Sequence, residues 1–310
     1  MEQKELNKIE RFILKKVSDI EDVPEGAFNI RENGKKLMRK NTKNIKIETK
    51  LDKPGIDIYI QENTKGEKVY IPVILTADGM TDVVYNDFYV GKNADVTIIA
   101  GCGIHNSSCN TSEHDGIHTF YLEENAKVKY IEKHYGEGEG SGEKILNPET
   151  IIHLKSGATL EMETVQIEGV DSTKRITKGY LEDNANLIIS EKIMTHDKQV
   201  AITDFLVELN GENSSTKVTS RSVAKDRSQQ EFRSNIIGNT NCFGHVECDA
   251  IIMDQACVKA IPKIVANNID ARLIHEAAIG KIAGDQVTKL MTFGLTEKQA
   301  EKEIINGFLK

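Results

Sequence analysis

The sequence predicts a mainly β protein built as a β-solenoid, and three observations point to it. Apolar residues alternate with a period of two from about Ile45 onward, as in Ile45, Ile47, Ile56, Ile58 and Ile60, then Val96, Ile98, Val128, Tyr130, Leu160 and Met162. That spacing buries one face of a strand. Short phrases also recur: KNADVTI from Lys92, ENAKVKY from Glu124, KSGATLEM from Lys155 and DNANLII from Asp183 each set a polar or glycine turn before strand residues. With Ala94, Ala126, Ala158 and Ala185 as markers the steps are 32, 32 and 27 residues. No helical pattern intervenes, so each repeat reads as a coil that buries its apolar side chains on those of the next. An antiparallel sandwich also has short strands joined by turns and stays open from periodicity alone.

Three segments follow in order. Residues 1–44 form an N-terminal helical segment: Leu6, Ile9, Phe12, Ile13 and Val17 recur at three- and four-residue steps within 3–20, the stripe of an amphipathic helix that packs on the domain behind it. Residues 45–280 form the solenoid core, whose Asn and Gly residues suit corners that need left-handed backbone. Residues 281–310 form a C-terminal helical segment, with helices over Asp285–Leu290 and Thr296–Leu309. Gly294 closes the first, Thr296 and Gln299 make a capping box for the second, and Ala300, Ile304 and Phe308 share a face. Such a tail either caps the open end of a stack or docks a partner.

Composition narrows the function. A formal charge of −8 and a pI near 5.6 argue against nucleic acid or anionic lipid as partner. No apolar run reaches the ~18 residues of a membrane span, and the N-terminus MEQKELNKIERFILKK is charged throughout, so a cytoplasmic protein is expected. Five cysteines without a signal read as free thiols or metal ligands. The chain lacks CxxC spacings, against a permanent electron carrier, and lacks GxxxxGK[ST], against ATP hydrolysis of its own by a P-loop.

Cys248, His275 and Glu276 combine a thiol, an imidazole and a carboxylate, all groups that iron accepts, about 28 residues apart, and chain fold-back can bring them together. On a strand His275 and Glu276 point to opposite faces unless a bulge intervenes, so one of them would face a partner. The run GCGIHNSSCNTSEHDGIH adds Cys102, His105, Cys109, His114 and His118, residue types suited to zinc or a second iron site, although C-x6-C fits no standard zinc knuckle. Cys242 is a further candidate ligand or a buried small residue, and Cys257 is expected to be buried.

Several stretches together resemble the SufB/SufD family of iron–sulfur cluster assembly scaffolds: LIHEAAIGKIAGDQVTKLMTFGLTEKQAEKEIINGF at 273–308, ECDAI at 247–251, STKVTSRSVAKDRSQQEFRSNIIG at 215–238 and, more weakly, GCGIHN at 101–106. The resemblance implies a right-handed parallel β-helix. It implies that Cys248 and Glu276 serve cluster building, with His275 beside them, on a transiently bound cluster of the [4Fe-4S] kind. It implies that the C-terminal helices hold a SufC-like ABC ATPase, which alone hydrolyses ATP, and that apo iron–sulfur proteins receive the cluster. A chain carrying all three site residues is expected to pair with itself as a homodimer. One departure concerns sulfur entry: where longer members have a mid-solenoid cysteine, the region from Thr173 has Lys178 and Tyr180, leaving Cys102 or Cys109, or free sulfide. The rival readings are a SufD-like structural subunit without its own cluster and a β-helix enzyme acting on polysaccharide, the latter disfavoured by the absence of Trp.

Overall fold

A computed structural model describes residues 6–20 and 24–310. Helix α1 (Lys8–Ser18) precedes the strands β1 (Ala27–Glu32), β2 (Lys35–Lys40), β3 (Ile45–Thr49), β4 (Gly55–Ile60), β5 (Lys65–Leu75), β6 (Thr81–Val90) and β7 (Asp95–His105). Next come β8 (Ser112–Leu122), β9 (Lys127–Glu137), β10 (Lys144–Leu146), β11 (Glu149–Leu154), β12 (Thr159–Glu168), β13 (Ser172–Leu181) and β14 (Asn186–Thr195). The chain ends with β15 (Val200–Leu209), β16 (Ser215–Ala224), β17 (Gln229–Gly238), β18 (Phe243–Ile252), β19 (Cys257–Ala266), β20 (Arg272–Gly280), α2 (Gly284–Thr292) and α3 (Glu297–Phe308).

Two sheets form, one ordered β2-β1-β5-β7-β9-β12-β14-β16-β18-β20 and the other β19-β17-β15-β13-β10-β8-β6-β4-β3, with β11 continuing β10 between β13 and β8. Each coil gives one strand to each sheet and pairs in parallel with the same strand of the next coil, so the fold is a parallel β-solenoid of about 8 turns. A sandwich would pair antiparallel neighbours instead.

The corners explain the recurrent phrases. Asn63, Asn93, Asn125, Asn184 and Asn213 all have φ between 56 and 59°, which asparagine tolerates better than most residues. Their backbone N–H groups donate to the next coil, as from Asn93 to Glu124 O at 3.0 Å and from Asn125 to Ser156 O at 3.1 Å. The residue that follows is small and buried: Thr64, Ala94, Ala126, Ala185 and Ser214, with Ala158 in the same place after Gly157, whose φ is 72°. Cys242 stands next in that column, above Ser214, and is buried there as one more small side chain. On the corner half of the interior the core is apolar, anchored by Phe88 stacked on Phe120 at 4.4 Å.

The N-terminal segment departs from expectation. Within 1–44 the helix covers only Lys8–Ser18, closed at its start by a reciprocal Asn7–Glu10 capping box; residues 3–5 lie outside the described ones. Strands β1 and β2 are an antiparallel hairpin turning at Asn33–Gly34, both with positive φ, and β1 extends the sheet alongside β5. Asn-Gly is a strong short-range hairpin signal. Helix α1 lies across the outer face of β7, burying Ile13, Leu14 and Val17, while Ile9 and Phe12 stay partly exposed. It fits because Gly101 and Gly103 have no side chain; a Cβ on Gly103 would stand 2.1 Å from Ile13 Cγ2.

At the other end α3 starts from the predicted Thr296–Gln299 capping box. It buries Ala300 and Ile305 and half-buries Ile304 and Phe308, and Ile305, Phe308 and the following Leu309 pack with Val223 on the flank of the solenoid. The helices therefore do not cover the last coil. Among the described residues no helix is long and apolar enough to cross a membrane.

Gly103→Ala is expected to destabilise the protein by about 1–3 kcal/mol through overpacking and to speed amide exchange in α1 but not in β16 to β18. Unchanged exchange in α1 would refute this account of its seat.

Candidate functional site

Strand alternation sorts the sequence candidates by face. On β18 the buried positions are Gly244, Val246, Cys248 and Ala250, so Cys248 points into the solenoid and is 1% exposed. On β20 His275 stands beside Val246 and Ala277 beside Cys248, which places His275 on the same inner face as a diagonal neighbour of the thiol. Both ring nitrogens of His275 are buried without a hydrogen-bond partner. Glu276 faces the other way, its side chain 66% exposed and its Oε2 3.5 Å from His245 Nε2. Within one chain, then, Cys248 and His275 come together and Glu276 does not join them.

Cys248 ends a line that begins deep in the coils. In register along one sheet, Glu132, Thr164, Glu191, Ser220 and Cys248 occupy the same inward position on successive coils. Arg175, from the facing sheet, reaches Glu132 through Nη1 and lies 3.7 Å from Glu191. Ser220 Oγ donates to Glu191 Oε2 at 2.8 Å and Thr203 Oγ1 to Glu191 Oε1 at 2.9 Å. Every member is buried. Charges so deep persist only when paired and hydrogen-bonded. Sequence reading passed over this line because each residue, taken singly, is an ordinary polar side chain in an alternating strand. The signal was their phase: Glu132 and His134 share the inward phase of Val128 and Tyr130.

Environment sets their protonation. Burial first, then the Glu191 and Asp249 charges, push the Cys248 thiol up to about 12, so it rests protonated and a bound metal must displace the proton. Burial would raise Glu132, but Arg175 with His134 and His118 overrides it and holds the carboxyl well below its usual range. Burial raises Glu191 against the pull of Arg175. Burial lowers His275, with His245 adding to the effect, which favours the neutral ring.

The run from Cys102 to His118 is divided by the fold. Cys102, His114 and His118 face inward and are buried. His105 is on the outer face, 3.2 Å from Glu137, and Cys109 is exposed on the β7–β8 loop. Cys257, expected to be buried, is exposed because it takes the outward phase of β19, in register with the exposed Gln229. Lys178 and Tyr180 point outward, so a cysteine at either position would not reach the interior. The surface trio His196, Asp197 and Asp226 brings ligand atoms within 4.8 Å of one another. Its Asp226 carboxylate already accepts from the backbone N–H of Asp197 in the corner below, at 2.9 Å.

Residues 74–308 match the family model described as SUF system FeS cluster assembly, SufBD core domain. The chain is 28% identical over 264 residues to an iron–sulfur cluster assembly SufBD family protein of Archaeoglobus fulgidus, covering 84% of this chain and 70% of that one. It is 28% identical over 237 residues to a protein of the same description from Methanothermobacter thermautotrophicus, of which it spans 56%. With the corresponding protein of Methanocaldococcus jannaschii it shares 26% over 251 residues, 79% of this chain and 78% of that one.

The buried histidines generate a pH dependence. Burial lowers both His118 and His134 to about 4, below the ~6.5 of an unfolded histidine. Between those values the unfolded chain binds more protons than the native one, so stability rises with pH there and is lost as pH falls from 6.5 towards 4. The loss is expected to reach up to roughly 3 kcal/mol per histidine. Denaturant midpoints measured from pH 4 to 7 should show this slope, and His134→Gln should flatten it; an equal slope in the variant would refute the assignment.

Proposed function

This chain belongs to the SufBD family of SUF-system iron–sulfur cluster assembly proteins, and we propose that within it the chain is a scaffold that builds a cluster at the open end of its solenoid and hands it on. One observation carries the reading: a buried thiol, Cys248, at the end of the inner polar line, beside an imidazole, His275, both of whose buried nitrogens lack partners. A buried polar group without a partner is costly, and a ligand at that place removes the cost.

The donors suit the cargo. A thiolate holds iron firmly and an imidazole more labilely, a mixture appropriate to a cluster that is assembled and then released. One chain offers one of each. Two copies meeting at their last coils would offer four ligands, one for each iron of a [4Fe-4S] cluster. The last coil favours such a meeting: Ile261, Ile264, Ile274 and Ile279 are exposed, β19 and β20 are edge strands, and only a further surface can bury them. Glu276 and His245, on the outer face of the same coil, then stand where they can act on iron or ligand exchange from outside.

Two further parts belong to this reading. Helix α2 buries none of its residues, and its Met291 and the following Phe293 are exposed, a surface suited to a SufC-like ATPase whose nucleotide cycle would open and close the dimer. The buried inner line from Glu132 to Cys248 offers sulfur a route to the coil end sheltered from solvent. Apo iron–sulfur proteins are the recipients.

Reconstitution with iron and sulfide under anaerobic conditions, read by absorbance and Mössbauer spectra, tests the proposal. Cys248→Ala and Glu276→Ala are expected to lose most cluster iron with unchanged circular dichroism, and the wild-type cluster should pass to an apo-acceptor. Equal cluster content in both variants would sink the site. Absence of a cluster from the wild type, alone and with its ATPase, would instead indicate a SufD-like structural subunit.

A further inference from the structure

We propose that the solenoid interior holds a second metal site, remote from the coil end, in which Cys102, His114 and His134 bind one divalent transition-metal ion of the ferrous or zinc kind around the space left by Gly116. Cys102 on β7 and His134 on β9 are direct register partners with both side chains inward. His114 approaches from β8 in the facing sheet. All three line a small cavity of about 20 Å³, together with Gly116, which is room for one water-sized body.

That room has an identifiable cause. Gly116 occupies an inward position on β8, and the adjoining strand is broken between β10 and β11 at Asn147–Pro148, Pro148 being part of the cavity wall. A Cβ on Gly116 would sit 3.4 Å from His114 Nε2 and 3.5 Å from His118 Nε2, so any other residue would fill the space towards which these nitrogens point.

The donors are oriented as a metal site requires. His114, 5% exposed, is bonded through Nδ1 to Asp82 Oδ2 at 3.1 Å, and its Nε2 makes no hydrogen bond. His134 Nδ1 lies between Gln166 Oε1 at 3.4 Å and Arg175 Nη2 at 3.5 Å, and its Nε2 also makes no hydrogen bond, lying 3.8 Å from a Glu132 carboxylate already committed to Arg175. A carboxylate or carbonyl on the far nitrogen is the usual way a ligating histidine is fixed. His118 is excluded, since Tyr130 and Asn86 occupy its two nitrogens. One thiolate and two neutral imidazoles with a vacant fourth position select a borderline divalent ion over a hard one. Binding exchanges the Cys102 thiol proton for the metal, releasing one H⁺ and leaving a thiolate–metal bond. The ligand atoms do not all lie within 4.8 Å of one another, so binding draws the side chains inward. The set differs from a local chelate of the Cys102–His118 run: it takes His134 from the next coil and leaves out His105 and Cys109.

The test uses the full-length Cys248→Ala chain, which lacks the coil-end thiol, stripped of metal under anaerobic conditions and titrated with Co²⁺. One equivalent is expected, with thiolate-to-cobalt charge transfer and the intense d–d bands of a four-coordinate ion. Cys102→Ser should abolish the charge-transfer band. Gly116→Ala, which alters no ligand, should weaken binding at least about tenfold, with circular dichroism checking that each variant is folded. No cobalt bound by the Cys248→Ala chain, a charge-transfer band that survives Cys102→Ser, or affinity indifferent to Gly116→Ala would each overturn the site. None of these readouts depends on cluster assembly, so the result stands apart from the scaffold reading.

Discussion

In-register stacking of parallel coils is the constraint on which everything else rests. Because each inward residue lies directly on its counterpart one coil away, the character of a position is passed along the stack. On the asparagine-corner side that inheritance gives a column of alanines and a slab of isoleucine, valine and phenylalanine. On the other side it gives Glu132, Thr164, Glu191 and Ser220. An unpartnered carboxylate in this interior would be prohibitive, whereas Glu132 is met by Arg175 and Tyr130 and Glu191 by Thr203 and Ser220. The same rule places a thiol, Cys248, at the end of the file rather than at random in the core.

Much of this architecture is legible in the sequence, and where it is not the reason is physical. The 32, 32 and 27-residue steps between corner alanines are coil lengths, and the structure pairs residues at those separations. Alternation also foretells that His275 and Glu276 part company, since β20 runs without a bulge beside β18. The hairpin at Asn33–Gly34 escaped because a strong amphipathic helix upstream drew the whole segment into one assignment. The polar interior escaped for a deeper reason. Facing sheets are brought together by coil geometry, so Arg175 meets Glu132 across 43 residues, and no local window contains both. Likewise the cluster of Cys102 with His105 and Cys109 in the sequence dissolves, since His105 takes the opposite face of β7 and Cys109 lies on the loop beyond it, and Cys102 acquires His134 from the following coil.

The last coil shows what happens when the repeat stops. Ile264 and Ile279 stand in register with Ile236 and Ala250, which are buried, and they are exposed because no further coil follows. Helices α2 and α3 leave that end open, α3 lying along the flank against Val223. Ordinary interior chemistry, a buried thiol with an unpartnered imidazole, is thus brought to a boundary by termination of the stack rather than by a specialised loop.

A solenoid also measures length. Cys102 on β7 and Cys248 on β18 lie five strand steps apart in one sheet, β7-β9-β12-β14-β16-β18, which at ~4.8 Å per step makes about 24 Å. Gain or loss of one whole repeat would lengthen or shorten that span by a single fixed increment while leaving the chemistry of both ends intact, so the separation between the two thiols is a ruler graduated in coils.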